Sequence, residues 1–137
     1  MLYTYSSTEQ TVNANGAILL TTNGIDCRCD GITHSGGSST ITITKPGNYI
    51  IDVNCVATSA TTGDLSFQLY NNGVAIPGAI ATNNIATASN KANYAFTAAI
   101  RVLASCPVIN NTAQLTIQNI SANAATVTNA AVTIKAA

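Results

Sequence analysis

Short runs of alternating apolar and polar residues dominate the chain, and no stretch shows the 3.6-residue period of an amphipathic helix. Residues 40–44 alternate Thr and Ile and end at residues 45–48, which are typical of a turn. The next run places Tyr49, Ile51 and Val53 on one face of a strand. Further along, Asn72-Gly73 separates two alternating runs, a spacing that indicates a β-hairpin.

The same alternation predicts strands over the rest of the chain. We expect longer strands near residues 94–104, 114–120 and 130–135, and shorter ones at 3–5 and within 11–20. Asn15-Gly16 and Asn23-Gly24 indicate turns, and the Ala-, Thr- and Asn-rich residues 79–91 predict a long loop with an irregular strand. The whole chain, residues 1–137, is therefore predicted to be one all-β domain, a β-sandwich or jelly roll of eight to ten strands.

The faces of two predicted strands that should meet solvent are unusually apolar. Ile50 and Val56 lie opposite the face that carries Tyr49, and Ala99 and Leu103 lie on the outer side of the strand at 94–104. An antiparallel sheet with one face in water normally shows polar residues on that face. The pattern therefore favours a sheet that is partly covered by a neighbouring subunit.

Composition supports a covered surface and excludes two classes of partner. Only 7% of the residues are charged, against about 25% in an average soluble domain, and the five cations balance five carboxylates. A neutral chain with scattered cations has no electrostatic footprint for nucleic acid or for an anionic membrane. The apolar fraction of 47% is sufficient for a full core.

Neither a secretory leader nor a membrane span is evident in the sequence. We therefore expect synthesis in a bacterial cytoplasm without a signal peptide. Four cysteines allow three pairings if all are oxidised, but a cytoplasmic origin favours free thiols. Cys55 and Cys106 fall on predicted core faces, where they are expected to be structural and inert.

Residues 41–53 resemble the strand–turn–strand of the C1q/TNF-like jelly rolls, in which Gly-x-Tyr or Gly-x-Phe opens a central strand. Here Gly47 would supply the tight turn and Tyr49 a large core side chain. Residues 31–33, 72–78, 114–121 and 131–135 are similar to further segments of that superfamily. The resemblance implies a ten-stranded jelly roll of two antiparallel sheets that assembles as a tight homotrimer.

Within this superfamily the chain is most similar to the bacterial and phage branch, such as the C-terminal domain of BclA-type spore-surface proteins. Those proteins carry Gly-X-Y collagen repeats, which this sequence lacks. The interpretation is thus a non-enzymatic structural or adhesion module displayed on a virion or on a bacterial or spore surface. The alternative is a carbohydrate- or host-receptor-binding domain that acts through loops such as 57–63 and 79–91.

Candidate chemistry is sparse. Cys27, Cys29 and His34 have the residue types of a zinc site, although structural sites usually contain Cys-x2–4-Cys pairs. The alternatives for Cys27 and Cys29 are packing as small apolar residues or a crosslink between subunits. A Cys–His hydrolase would need His34 as its base, and no orienting third group is recognisable.

The remaining polar motifs favour no enzyme either. Asp52 and Asp64 have no partner carboxylate beside them in sequence, so the carboxylate pair of a glycosidase is disfavoured. Asp64 alone would supply one carboxylate to a calcium site, which is fewer than such sites usually contain. Tyr70, with Asn71 and Asn72, is the candidate for surface recognition, because an exposed Tyr can stack on a sugar ring. The alternative for Tyr70 is that it covers a sheet edge. No catalytic residue, metal or cofactor is predicted.

Overall fold

The computed structural model describes residues 1–104 and 112–137, so the predicted core residue Cys106 lies outside the described part. Within that part the chain forms eleven β-strands and one short 3-10 turn at Arg28–Asp30. The strands are β1 Leu2–Ser6, β2 Gln10–Val12, β3 Thr22–Asp26, β4 Ile32–Thr33, β5 Ile41–Ile43, β6 Gly47–Thr58, β7 Gly63–Asn71, β8 Val74–Ile85, β9 Ala92–Val102, β10 Ala113–Asn119 and β11 Ala125–Ala136. Among these residues no helix has the length and apolar content that crossing a membrane requires.

The strands form two antiparallel sheets. Sheet A has the order β3-β1-β11-β6-β9, with β2 also paired to β11, and sheet B has the order β4-β5-β10-β7-β8. Among the described strands only β4–β5 and β7–β8 pair with the next strand in sequence, so most sheet contacts join distant parts of the chain. The predicted all-β jelly-roll sandwich of two antiparallel sheets is confirmed, with eleven strands among the described residues in place of about ten.

The core lies between the sheets and is built by the alternation that the sequence shows. In β6 the residues Tyr49, Ile51, Val53, Cys55 and Ala57 are buried, while the residues between them are exposed or half-buried. The inward positions of β7, β10 and β11 are likewise mostly aliphatic or aromatic, and Asn119 at the end of β10 is a buried polar exception. Burial of these side chains is the main driving force for folding, since removal of apolar surface from water is the dominant favourable term.

A bulge in β11 keeps both halves of that strand in register with the core. The pairing with β6 shifts between Val127 and Asn129, and the Thr128 hydroxyl at the shift donates to the Val56 carbonyl at 3.2 Å. Because side chains alternate with a period of two, one extra residue returns Ala130 and Val132 to the inward side. Without the bulge, half of the strand would turn its apolar side chains outward.

The structure differs from the predictions for the Asn23-Gly24 turn and for the strand within residues 11–20. Asn23-Gly24 lies inside β3, where the register with β1 shifts between Tyr3 and Thr4, and a Cβ on Gly24 would lie 2.9 Å from the Tyr3 ring. Gly24 is therefore required by close packing and not by a turn. Of the predicted strand within 11–20, only β2 and an isolated bridge between Ala17 and Gln118 are formed.

For residues 79–91, where a long loop with an irregular strand is predicted, the first half is a regular part of β8. Strand β8 continues to Ile85 because it pairs with β7 as far as Gly63, which leaves residues 86–91 as the loop. Similarly, β6 extends to Thr58, so the predicted loop at 57–63 is only residues 59–62. Strand β9 ends at Val102, and Leu103 beyond it is 64% exposed.

Candidate functional site

The outer face of sheet A is a broad, weakly polar surface. Strand pairing aligns two rows of side chains across five strands. One row is Ile25, Tyr3, Thr133, Asp52 and Thr97, and the other is Thr22, Tyr5, Ala131, Asn54 and Ala95. We call these ten residues the sheet-A face; they contain one charged group. The Asp52 carboxylate accepts a hydrogen bond of 2.6 Å from the Thr97 hydroxyl, which partly compensates that charge.

An aromatic pair lies on one side of this face. The rings of Tyr3 and Tyr5 are tilted with centroids 5.6 Å apart, and both side chains are half-buried. Gly24 leaves space beside them, and Ile25 next to Tyr3 is 46% exposed. Tyr rings provide apolar area together with a polar tip, which is why they are enriched at protein interfaces. The cations nearest to this face, Arg101 and Lys135, lie beyond its rows towards the Gly47 end of β6.

The predicted recognition residues Tyr70, Asn71 and Asn72 do not share a surface. Tyr70 lies on the outer side of β7 and is half-buried. Asn71 alternates inward, and its Oδ1 is buried without a hydrogen-bond partner in the part of the chain that the structure describes. Asn72 occupies the turn, where its Nδ2 donates to the Thr112 carbonyl at 3.1 Å and its Oδ1 accepts from the Gln114 amide at 3.0 Å. The Asn72 side chain therefore holds the hairpin against β10, and Tyr70 alone stays a candidate for stacking.

Gly47 is the first residue of β6 and Tyr49 the third, directly after the turn at residues 44–46. Gly47 has a φ of +152°, a backbone conformation that L side chains rarely adopt. Tyr49 is buried, and its hydroxyl donates to the Lys45 carbonyl at 2.7 Å, so the side chain both fills the core and closes the turn. Burial raises the pKa of Tyr49.

Cys55 lies in the core opposite Tyr94 of β9. Burial raises the pKa of the Cys55 thiol to about 12, and burial together with Cys55 raises the pKa of Tyr94 to about 12. The Tyr94 hydroxyl is buried and has no hydrogen-bond partner among the described residues, while its ring packs edge-on against Phe67 with centroids 5.0 Å apart. Both groups are neutral at physiological pH, and the thiol is a poor nucleophile in this setting.

The residue types of the zinc hypothesis are not gathered into one site. Cys27 and Cys29 are free and exposed, whereas His34 is 3% exposed and both of its ring nitrogens hydrogen-bond within the chain. In the described part of the chain, no three His, Cys, Asp or Glu side chains lie close enough to hold a metal ion. Asp64 is exposed and its carboxylate accepts a hydrogen bond from Asn84 at 2.9 Å.

Two open cavities have polar walls. One, of about 230 Å³, lies at the β4–β5 edge of sheet B and is lined mainly by hydroxyl side chains. The other, of about 150 Å³, lies between the end of β9 and the Asn72 turn and includes Arg101 and Leu103 in its lining. His34 also lines the first cavity, but its ring nitrogens contact Thr4, Asn23 and the Ser38 carbonyl and not the hydroxyls of the cavity wall, so this geometry does not favour acyl transfer.

No family model matches the sequence, and neither does any curated protein. Solved structures match it in fold. Eiger TNF from S. frugiperda gives a TM-score of 0.67 at 11% identity, over 99% of this chain and 92% of that chain. Murine APRIL gives 0.64 at 10% identity, over 96% and 97% of the two chains. The PRD1 vertex protein P5 gives 0.51 at 14% identity, over 96% and 93%.

The fold of this chain is a TNF-like jelly roll. The expected C1q/TNF-like architecture is thereby confirmed over nearly the whole chain. At identities of 10–14% the likeness extends to the fold alone.

Sequence reasoning found the apolar outer positions of β6 but did not predict that Tyr3 and Tyr5 of β1 form an aromatic pair on the same face. Tyr3 and Tyr5 alternate with Leu2 and Thr4, and that alternation was a usable signal for an outward-facing pair. The sequence alone could not show where this pair lies, because only the pairing of β1 with β11 places the two rings beside the centre of sheet A.

Proposed function

We propose that this protein is a non-enzymatic module that forms a homotrimer through the sheet-A face. The observation that carries the proposal is the nearly uncharged pair of side-chain rows that crosses sheet A from Ile25 to Thr97 and from Thr22 to Ala95. Small, weakly polar side chains on a sheet can approach a second sheet or strand edge closely. Their removal from water costs little, because only Asp52 carries a charge and it is already hydrogen-bonded.

Several further exposed apolar side chains lie outside the face itself. Val74 is 69% exposed, Ile80 is 42% exposed, and Met1 is 44% exposed. With a charged fraction of only 7%, a lone domain of this kind lacks the charge that normally keeps copies apart. The low charge favours association of copies, whereas these scattered side chains, of which Val74 and Ile80 lie in sheet B, do not mark the interface.

The number of copies and the biological setting rest on the resemblance of residues 41–53 to the C1q/TNF-like jelly rolls, in particular those of the BclA type. We place the trimer on the surface of a virion, bacterium or spore, after synthesis in a bacterial cytoplasm. The fold is compatible with this setting, since a protein named as the PRD1 vertex protein shares it. The proposed mechanism is association alone. The sheet-A faces of the three copies pack against one another, and loops 59–62 and 86–91 face outward.

The experiment compares two substitutions that each add one charge without changing shape. Asn54→Asp places a carboxylate in the middle of the sheet-A face, and Gln114→Glu places one on exposed β10 of sheet B. Like charges brought together at an interface are strongly unfavourable. Sedimentation equilibrium should show the trimer of Asn54→Asp dissociating at concentrations at least about tenfold higher than wild type, while Gln114→Glu behaves as wild type.

Two outcomes would count against this assignment. Equal dissociation of both variants would mean that sheet B takes part as much as sheet A. Wild-type protein that stays at the 14.0 kDa of one chain at all concentrations would remove the trimer itself.

A second candidate function is recognition of a glycan or a host surface receptor. It is favoured by Tyr70, which is half-exposed beside the Asn72-Gly73 turn and whose hydroxyl makes no hydrogen bond within the described residues. Glycan-array binding by wild type that is lost in Tyr70→Ala, with unchanged unfolding free energy, would support it. An array without signal would remove it, whatever the oligomeric state.

A further inference from the structure

The outer face of sheet B consists mainly of hydroxyl and amide side chains. Strand pairing aligns these residues across β4, β5, β10, β7 and β8, at positions that alternate with the buried core residues. We call them the sheet-B face: Thr33, Thr42, Gln114, Thr116, Tyr70, Ala75, Gln118, Gln68, Ile80, Ser66 and Thr82. None of these side chains is charged. Asp64 lies beyond Ser66 at the end of β7, and its carboxylate accepts a hydrogen bond from Asn84.

One end of this face opens into the cavity of about 230 Å³ at the β4–β5 edge. Thr33 and Thr42 pair in register and belong to both the face and the cavity wall. The other hydroxyls of the wall come from Ser35, Ser38 and Thr40. The hydroxyls of Ser35, Thr40 and Thr42 make no hydrogen bond within the described residues. They are therefore free to bind a ligand that enters from solvent.

Tyr70 lies three strands away from Thr33 on the same face. It pairs with Thr116 of β10, its ring is half-buried, and its hydroxyl has no hydrogen-bond partner in residues 1–104 and 112–137. Neighbouring strands are about 4.8 Å apart, so the span from β7 to β4 is about 14 Å, which is room for about three sugar rings. A tyrosine ring offers an apolar surface with a polar tip, and it matches a pyranose, whose faces carry C–H groups and whose edge carries hydroxyls.

Two glutamines beside Tyr70 are already oriented by hydrogen bonds from their own amides. Nε2 of Gln118 donates to the Thr116 hydroxyl at 3.3 Å, and Nε2 of Gln68 donates to the Ile76 carbonyl at 3.3 Å. The Oε1 atom of each glutamine is left as an acceptor without a donor in the part of the chain that the structure describes. Side chains that are oriented beforehand lose less conformational freedom when a ligand binds.

We propose that the sheet-B face binds an uncharged, extended oligosaccharide, with one sugar ring on Tyr70 and another in the cavity at the β4–β5 edge. The inference rests on the second candidate function, recognition of a glycan, to which it gives a site and a ligand class; it does not depend on the trimer. Hydroxyl and amide groups both donate and accept, as the hydroxyls of a sugar require. A phosphate or carboxylate ligand would need cations, which the sheet-B face lacks. Lys45, which follows β5, lies in the turn beyond Thr44 and outside the cavity lining.

A second copy of the chain is a poorer match for this face. Burial of a hydroxyl or an amide without a partner costs free energy, so a protein surface would have to supply a partner for each side chain. A sugar ring carries several hydroxyls in a small area and meets that demand with few atoms. The sheet-A face makes a smaller demand, because its single amide is Asn54, whereas the sheet-B face has three glutamines.

The test is an NMR titration of isotope-labelled wild-type protein with named oligosaccharides. Cellohexaose, maltohexaose and tetra-N-acetylchitotetraose are the neutral probes, and a hyaluronan tetrasaccharide is the anionic one. At least one neutral probe should shift the backbone amide signals of β4, β5, β7, β10 and residues 34–40, with little change in sheet A. The anionic probe should bind more weakly than that neutral probe.

Two threonine-to-valine substitutions give a matched pair. Thr42→Val removes a hydroxyl from the proposed site, and Thr133→Val removes one from the outer face of sheet A; both side chains are half-buried. Valine keeps the shape and the β-branching of threonine, so both variants should fold. We expect Thr42→Val to weaken binding of the neutral probe about fivefold to tenfold, and Thr133→Val to leave it unchanged.

The possible failures separate the site from the function. Amide shifts confined to loops 59–62 and 86–91, or equal weakening by both variants, would overturn this site while glycan recognition itself stood. Preference for the hyaluronan tetrasaccharide would overturn the uncharged ligand class. Absence of binding by all of these oligosaccharides would remove the site and the second candidate function together. The trimer is decided separately by its mass.

Discussion

Two tyrosines in the same core show how one hydroxyl can stabilise or destabilise depending on its partner. The Tyr49 hydroxyl donates to the Lys45 carbonyl at 2.7 Å, whereas the Tyr94 hydroxyl is buried and has no partner in residues 1–104 and 112–137. Tyr94→Phe removes an unsatisfied group, so it should raise the free energy of unfolding or leave it unchanged. Tyr49→Phe removes a hydrogen bond and should lower that free energy by about 1 kcal/mol. Urea denaturation of both variants checks the opposite signs, and a destabilised Tyr94→Phe would contradict the assignment.

Burial of the Cys55 thiol makes the free energy of unfolding depend on pH in the alkaline range. Its thiol has a pKa raised from 9.0 to about 12 by burial, so the folded state retains a proton that the unfolded state loses above pH 9. Stability from this group is complete below pH 9 and falls by about 1.4 kcal/mol per pH unit from there towards pH 12. Tyr94, with its pKa raised to about 12, adds to the decline above pH 10.

The measurement for this prediction is the slope of unfolding free energy against pH between 9 and 11. Cys55→Ala should have a shallower slope than wild type, because the buried thiol no longer contributes. Equal slopes would show that the Cys55 thiol ionises as readily in the folded as in the unfolded chain.

At the scale of elements, the β7–β8 hairpin depends on one side chain as well as on backbone geometry. Asn72 and Gly73 have φ of 52° and 80°, as a type I′ turn requires, and the Asn72 side chain bonds to Thr112 and Gln114. Asn72→Gly retains the turn geometry but loses both hydrogen bonds, so it should lower the unfolding free energy by about 1–2 kcal/mol.

Asn15 supplies the matched control for that substitution. It also has a positive φ, 63°, and is exposed, but its side chain makes no hydrogen bond among the described residues. Asn15→Gly should therefore be neutral within about 0.5 kcal/mol by thermal or urea denaturation. Equal losses in both variants would mean that the Asn72 side chain contributes nothing beyond its conformation.

Sequence reasoning succeeded for elements with strong local alternation and failed where tertiary pairing decided. Residues 41–43, β6, β7 and β10 alternate aliphatic and polar residues, and this pattern was sufficient to place them. The second half of β8 has mostly small inward residues such as Ala79 and Ala81, so its alternation is weak, and only pairing with β7 makes it a strand. Asn23-Gly24 has turn chemistry, but packing against Tyr3 places it in β3.

The candidate site was predictable only in part, for the same reason. The outward apolar residues Ile50 and Val56 were evident from alternation, and they indicated a covered sheet. The rows that cross sheet A join residues more than 100 positions apart, as Tyr3 to Thr133, and no local pattern predicts such a register. The contacts of His34 with Thr4 and Asn23 likewise join separate segments of the chain.

At the scale of the whole molecule, the central claim is that this TNF-like jelly roll covers its sheet-A face by forming a homotrimer. Light scattering on a size-exclusion column measures this most directly, because it gives mass without assumptions about shape. We expect wild-type protein to elute at three times the 14.0 kDa of one chain, and to keep that mass over a tenfold dilution. A single species at 14.0 kDa, stable at high concentration, would contradict the account.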